Sequence, residues 1–246
     1  MGLENEPWLL HAAVFFASLL QAAAGIGFGV IAGPIILVAM NSPAAIQVSI
    51  LLSFAIALAL GPGVVRQADR SLLKRYTLGS LIGAPVGIAA FLLADITALK
   101  LMAGAAVLFM ALSAAGLLRR RAPAPDDSPR RDTLIGSLSG AMSTALAMPG
   151  PSIAAEMAAQ GRDKTSVRAT VLTLFLISYP LAYAAQGLAV GPAMDALALS
   201  ARLLPATLLG VFAGRLLVPH VSESLFRRII VAVLLATALG LFVSLI

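Results

Sequence analysis

The sequence predicts an all-α polytopic membrane protein made of two inverted repeats, each a re-entrant or broken helical hairpin plus three transmembrane helices. Three observations lead there. First, 60% of the 246 residues are hydrophobic and only 11% are charged, with a mean hydropathy of +0.97, and so few charges cannot cover a soluble surface. Second, the polar residues cluster, leaving apolar stretches of about 20 residues, the length that crosses a bilayer. Third, two of these stretches are interrupted by glycine and proline, at matched places in the two halves.

The elements follow in order. Met1 to Trp8 carries Glu4 and Glu6 and no lysine or arginine. A secretory signal opens with a basic region, so the first apolar stretch is expected to be retained. That stretch, Leu9 to Met40, is too long for one span and is interrupted at Gly25-Ile26-Gly27-Phe28-Gly29 and at Gly33-Pro34. Spans are predicted over Ala44 to Val65, Leu72 to Ala94 and Leu99 to Leu118. A polar, proline-rich linker runs from Arg119 to Asp132. The second broken stretch, Thr133 to Gln160, is interrupted at Met148-Pro149-Gly150-Pro151. Spans over Ser166 to Gln186, Leu203 to Val218 and Leu225 to Ile246 complete the chain. The units are therefore 1–118, 119–132 and 133–246.

The breaks matter because proline deletes an N–H and clashes with the preceding turn, while glycine weakens a helix. Lipid cannot satisfy the freed backbone groups, so such breaks belong inside protein or against a watery cavity. Gly25 and Pro34 match Gly140 and Pro149 in spacing, and Leu81 to Gly87 lines up with Leu208 to Gly214. The same register sets Asp95 against Ser222 and Lys100 against Arg227.

Charge orients the repeats. The net charge of +6 comes largely from short loops: Arg66, Arg70, Lys74 and Arg75, then Arg119 to Arg121, Arg130 and Arg131. Basic loops beside apolar spans mark the cytoplasmic side, and nucleic-acid binding would need a basic face on a soluble fold. The linker and the loop from Arg66 to Arg75 are expected in the cytoplasm. Gly187 to Leu199 is expected outside, as is the N-terminus. These sides agree only if each broken stretch dips in and returns. A hairpin plus three spans then inverts the second half. Eight ordinary spans are the alternative.

A half-helix that starts inside the membrane leaves its first N–H groups unpaired and points a partial positive charge inward. Pro34 and Pro151 suit the first turn of such helices. Two half-helix N-termini facing each other would hold an anion without a buried lysine.

The segments AAAGIGFGVIAGPIIL and GSLSGAMSTALAMPGPSIA, each opening one half, resemble the TauE/SafE family of sulfite and organosulfonate exporters across nearly the whole chain. The resemblance implies a secondary transporter that moves a small sulfur-containing anion across the cell inner membrane by alternating access. An anion channel and a non-transporting membrane subunit or assembly factor are the alternatives. Candidate substrate-binding residues are Gln21, Gly25, Gly27, Gly29, Pro34, Ser143, Thr144, Pro149, Gly150 and Ser152. Against that stands the reading that small residues serve close helix packing. Gln47, Ser49, Ser53, Tyr179, Tyr183 and Gln186 are weaker candidates.

Charged residues within apolar stretches are functional candidates by default. Glu156 is expected to carry a coupling proton or to pair with a cation, with Arg215 as its partner or as a substrate contact. Arg168 and Arg202 lie near span ends and read as interfacial. The Gly83-xxx-Gly87 and Gly210-xxx-Gly214 patterns permit close helix contact, within the chain or in a homodimer. The absence of cysteine removes disulfides, thiolate metal sites and cysteine nucleophiles. His11 and His220 stand away from any nucleophile, so no enzyme activity and no cofactor are expected. The expected partners are a small anion and the lipid bilayer.

Overall fold

Every unbroken apolar stretch forms one helix, and each broken one forms two. The computed structural model describes residues 7–25, 27–117, 128–217 and 223–245. In chain order the helices are α1 (Pro7–Ala24), α2 (Phe28–Met40), α3 (Ala44–Leu60), α4 (Arg70–Leu93), α5 (Ile96–Ala115), α6 (Pro129–Leu146), α7 (Gly150–Ala159), α8 (Lys164–Val190), α9 (Met194–Leu217) and α10 (Glu223–Val243). There is no strand among the described residues. Among the described residues five helices are long and apolar enough to cross a membrane: α3 with the tight turn that extends it to Gly63, α4, α5, α8 and α9. Each broken hairpin, α1–α2 or α6–α7, precedes three further helices.

The loop aspartates start the helices. Asp69 accepts the N–H groups of Ser71 and Leu72 ahead of α4. Asp95 accepts the Ala98 N–H ahead of α5, and Asp163 accepts the Ser166 N–H ahead of α8. Each satisfies donors that the first helical turn leaves open.

Glycine brings the halves together. α4 lies along α6, where a side chain at Gly83 would strike the Ser137 backbone and one at Gly87 would strike Ala141 and Thr144. α9 lies along α1 in the same manner: Gly210 meets Phe15 and Ser18, and Gly214 meets Leu19 and Ala22. Both glycine pairs therefore serve contacts within the chain, and neither is free to join subunits. The interior holds Gln21, Gln47, Ser53, Ser139, Thr144 and Gln186, all at most 2% exposed. Large apolar side chains such as Leu78, Ile82, Val86, Leu209 and Phe212 point outward. That distribution suits a lipid surround.

Several sequence expectations change. Pro34 is the seventh residue of α2, inside the helix rather than in its first turn. Gly140 lies within α6, its Cα face pressed on Ser80, so it does not correspond to Gly25. The breaks align Gly25 with Ala147, both in left-handed conformation with φ of 79° and 59°. The loop expected from Gly187 to Leu199 shrinks to residues 191–193, because α8 continues to Val190 and α9 begins at Met194. α6 begins at Pro129, so its first turn includes Arg130, Arg131 and Asp132 of the expected linker. Arg119 to Arg121, His220 and Ser222, and the Arg227 side chain, lie outside the described residues.

Candidate functional site

The two breaks meet. α1 stops at Gly25, whose N–H donates to the Gln21 carbonyl at 2.7 Å. Gly27 then adopts φ 149°, a region that glycine tolerates and other residues rarely enter. α2 restarts at Phe28, and its first N–H donates to Gln21 Oε1 at 2.7 Å. On the other hairpin α6 closes at Ala147. Ser139 Oγ donates to the Pro149 carbonyl at 2.6 Å and pins the turn, and α7 begins at Gly150 with Pro151 in its first turn. Gly29 lies so close to this second turn that a Cβ there would collide with the Ala147 carbonyl oxygen. The starts of α2 and α7 therefore sit side by side.

Between them lies a small cavity of about 10 Å³, room for roughly one water molecule. Gln21, Gly27, Gly29 and Val30 line it from the first hairpin, and Ala147, Met148, Gly150 and Pro151 from the second. Phe175 and Tyr179 of α8 close the remaining side, their rings 5.1 Å apart. These two residues flank the centre of α8, which places the cavity near mid-span.

The polar groups here are mostly donors. The first turns of α2 and α7 carry N–H groups without intrahelical partners and the positive ends of their dipoles. Gln21 is buried, and its Oε1 is held by Phe28, which leaves Nε2 as an unbonded donor. Ser152, in the first turn of α7, has a buried hydroxyl that makes no hydrogen bond. A buried donor without an acceptor is costly, so an anion arriving here would be favoured.

Of the sequence candidates, Gln21, Gly27, Gly29 and Gly150 line the cavity, whereas Ser152, next after Pro151 in α7, is not part of its lining. The others have different surroundings. Gly25 packs beneath the Arg168 side chain. Pro34 is one turn deeper in α2, away from the lining. Ser143 Oγ donates to the Ser178 carbonyl, and Thr144 Oγ1 to the Ala84 and Gly140 carbonyls. Pro149 caps α7. Gln186 holds the second hairpin by donating to the Thr144 carbonyl at 2.7 Å. Gln47 clamps residues 191–193, donating to the Gly191 carbonyl and accepting the Ala193 N–H.

Glu156 and Arg215 are not partners. Glu156 pairs with Arg131 at 2.9 Å and accepts from Gln160 Nε2 at 2.8 Å. It faces the start of α6 because α7 folds back along that helix, toward the base of the hairpin. Arg215 instead donates to the Ala59 carbonyl in the last turn of α3 at 3.0 Å. A neighbouring pair, Arg75 and Asp132 at 2.9 Å, joins α4 to the same base.

Two groups escaped the sequence reading. Phe175, Val30 and Met148 carry no polar mark in an apolar run. Arg168, read as interfacial, donates from Nη2 to the Ala22 carbonyl at 2.8 Å, in the last turn of α1. Helical spacing could have found it, since 168, 172, 175 and 179 share one face of α8.

Apolar helices of bilayer length, with lipid-type side chains outward and a polar pair of broken helices inside, define a multi-pass membrane protein. Residues 10–241 match the family described as Sulfite exporter TauE/SafE, and the chain belongs to that family of membrane transporters, which are not enzymes. No curated protein and no solved structure matches the chain.

Proposed function

We propose that the chain moves a small sulfur-containing anion, sulfite or an organosulfonate, across the cytoplasmic membrane by alternating access. The observation that carries this reading is the pair of unbonded donors, Gln21 Nε2 and Ser152 Oγ, where α2 and α7 begin. A tetrahedral or pyramidal oxyanion accepts from several directions at once, so convergent N–H and O–H groups suit it. The family match favours sulfur oxyanions among such guests.

In this reading residues 1–118 and 133–246 are inverted repeats, and the basic linker is cytoplasmic. The contacts support the repeat. Phe15, Leu19 and Ala22 meet Gly210 and Gly214, whereas Ser137, Ala141 and Thr144 meet Gly83 and Gly87. Each of the first three precedes its counterpart by the same interval that separates Gly25 from Ala147. Exchanging the two halves therefore leaves this packing unchanged, as rocking of one unit against the other requires.

A thermal-shift screen of the purified protein with sulfite, sulfonates, sulfate and short carboxylates tests the substrate class, because a specific guest stabilises the folded state by mass action. Protection by sulfite or a sulfonate is expected. Protection by carboxylates alone would remove the sulfur-anion reading. In proteoliposomes, saturable flux with counterflow is expected of a carrier, and flux that does not saturate would assign a channel instead.

A further inference from the structure

We propose that Arg168 is a positioning residue of the central anion site, which it serves by its charge and by holding the end of α1 behind Gln21. This role rests on the anion-transport reading and adds a residue to the same site. Arg168 Nη2 donates to the Ala22 carbonyl at 2.8 Å, and Ala22 directly follows Gln21, which lines the cavity. The stem of Arg168 lies over Gly25, where a Cβ would collide with it. Gly25 in turn donates its N–H to the Gln21 carbonyl at 2.7 Å. One side chain of α8 thus grips the last turn of α1 at both Ala22 and Gly25.

The second break has a cap without charge. Thr144 lies three residues before Ala147, as Ala22 lies three before Gly25. Its carbonyl accepts from Gln186 Nε2 at 2.7 Å. Both caps project from one face of α8, since the 18 residues between positions 168 and 186 make five turns. Phe175 and Tyr179 stand between them. A neutral amide therefore suffices to satisfy such a carbonyl, yet the first break carries a full positive charge. No carboxylate pairs with Arg168 among the described residues, and its Nε is buried without a hydrogen bond. A cation inside the protein without a counter-charge is costly, and an arriving anion relieves that cost. Phe175 lies two turns further along α8, about 10 Å at 1.5 Å per residue. At that range, and at the effective dielectric of a protein, a unit charge changes anion affinity on the order of tenfold.

Sulfite uptake by proteoliposomes, resolved into KM and Vmax, tests the assignment. Arg168→Gln gives the first break the same amide that caps the second. Its KM is expected to rise about tenfold while Vmax stays within about twofold of the wild type. Arg168→Lys keeps the charge, so its KM is expected to stay within about threefold of the wild type. A lower Tm with an unchanged KM in Arg168→Gln would reduce Arg168 to a helix cap and overturn the proposal. A KM in Arg168→Lys as high as in Arg168→Gln would overturn it too, because charge would then not be the property that acts. Should Arg168→Gln fail to fold, Arg168→Met keeps an apolar stem over Gly25 and carries the same expected rise in KM. Wild-type uptake with a level KM across the variants removes the role of Arg168 and leaves the transport reading standing. No saturable sulfite uptake by the wild type removes both.

Discussion

Gln21 reaches across the first helix break and accepts the Phe28 N–H on its side-chain carbonyl at 2.7 Å. One side chain thereby serves two ends. Its oxygen holds the start of α2, and its amide nitrogen remains unbonded at the cavity. The structural and the functional roles are on different atoms, so substitution can separate them.

Gln21→Glu keeps an acceptor for Phe28 while exchanging the free donor for a negative charge. The variant is expected to fold with a Tm near that of the wild type and to lose all protection by sulfite. Gln21→Leu loses both atoms, and stability should fall by about 1–3 kcal/mol because a buried N–H is left without an acceptor. Thermal unfolding with and without sulfite measures both.

Gly29→Ala should push the two breaks apart, since its Cβ would strike the Ala147 carbonyl. Flux in proteoliposomes is expected to fall on the order of tenfold or more, in line with the sensitivity of placed donors to small displacements. Gly240→Ala is the control, because that position has open space around it. Its flux should match the wild type.

Where these residues come together was only partly legible in the sequence. Gly25, Gly27, Pro149 and Pro151 mark the breaks, but glycine and proline do not by themselves break a helix, since Pro34 and Gly140 lie inside α2 and α6. The pairing of Gly25 and Pro34 with Gly140 and Pro149 rested on equal spacing alone. Gly140 serves close packing on Ser80, and the residue at the second break that shares the left-handed conformation of Gly25 is Ala147, which carries no compositional mark. The aromatic wall was hidden for a related reason: Phe175 inside an apolar span looks the same whether it faces lipid or a cavity. Arg131, the partner of Glu156, falls in the polar, proline-rich run of the linker, and only the start of α6 at Pro129 puts it on the hairpin.

Glu156 and Arg131 give an asymmetric prediction. Glu156 is 7% exposed and Arg131 is 41% exposed. Arg131→Gln strands a buried carboxylate, whereas Glu156→Gln frees an arginine that reaches water. Arg131→Gln should therefore lower Tm more than Glu156→Gln, and the double variant should recover part of the loss. Glu156→Gln should leave the pH dependence of flux unchanged, since the carboxylate is engaged by Arg131 and Gln160 at the hairpin base. Abolished pH dependence would return Glu156 to the coupling role.

Gly83→Leu and Gly210→Leu should be similarly damaging, because each pries one half's hairpin from the other half's glycine-lined helix. Folded yield in detergent for the two variants compares them directly. A severe loss for one and none for the other would contradict the equivalence of the halves.

The anion's position is the most direct test of all. Selenite, the selenium analogue of sulfite, carries an anomalous scatterer, and the chain has no cysteine to reduce it. Crystals grown with selenite are expected to show an anomalous peak between Gly29 and Gly150, within hydrogen-bonding reach of Gln21 Nε2. Selenite bound elsewhere, with that cavity lacking a peak, would contradict the claim that the two broken helices hold the transported anion.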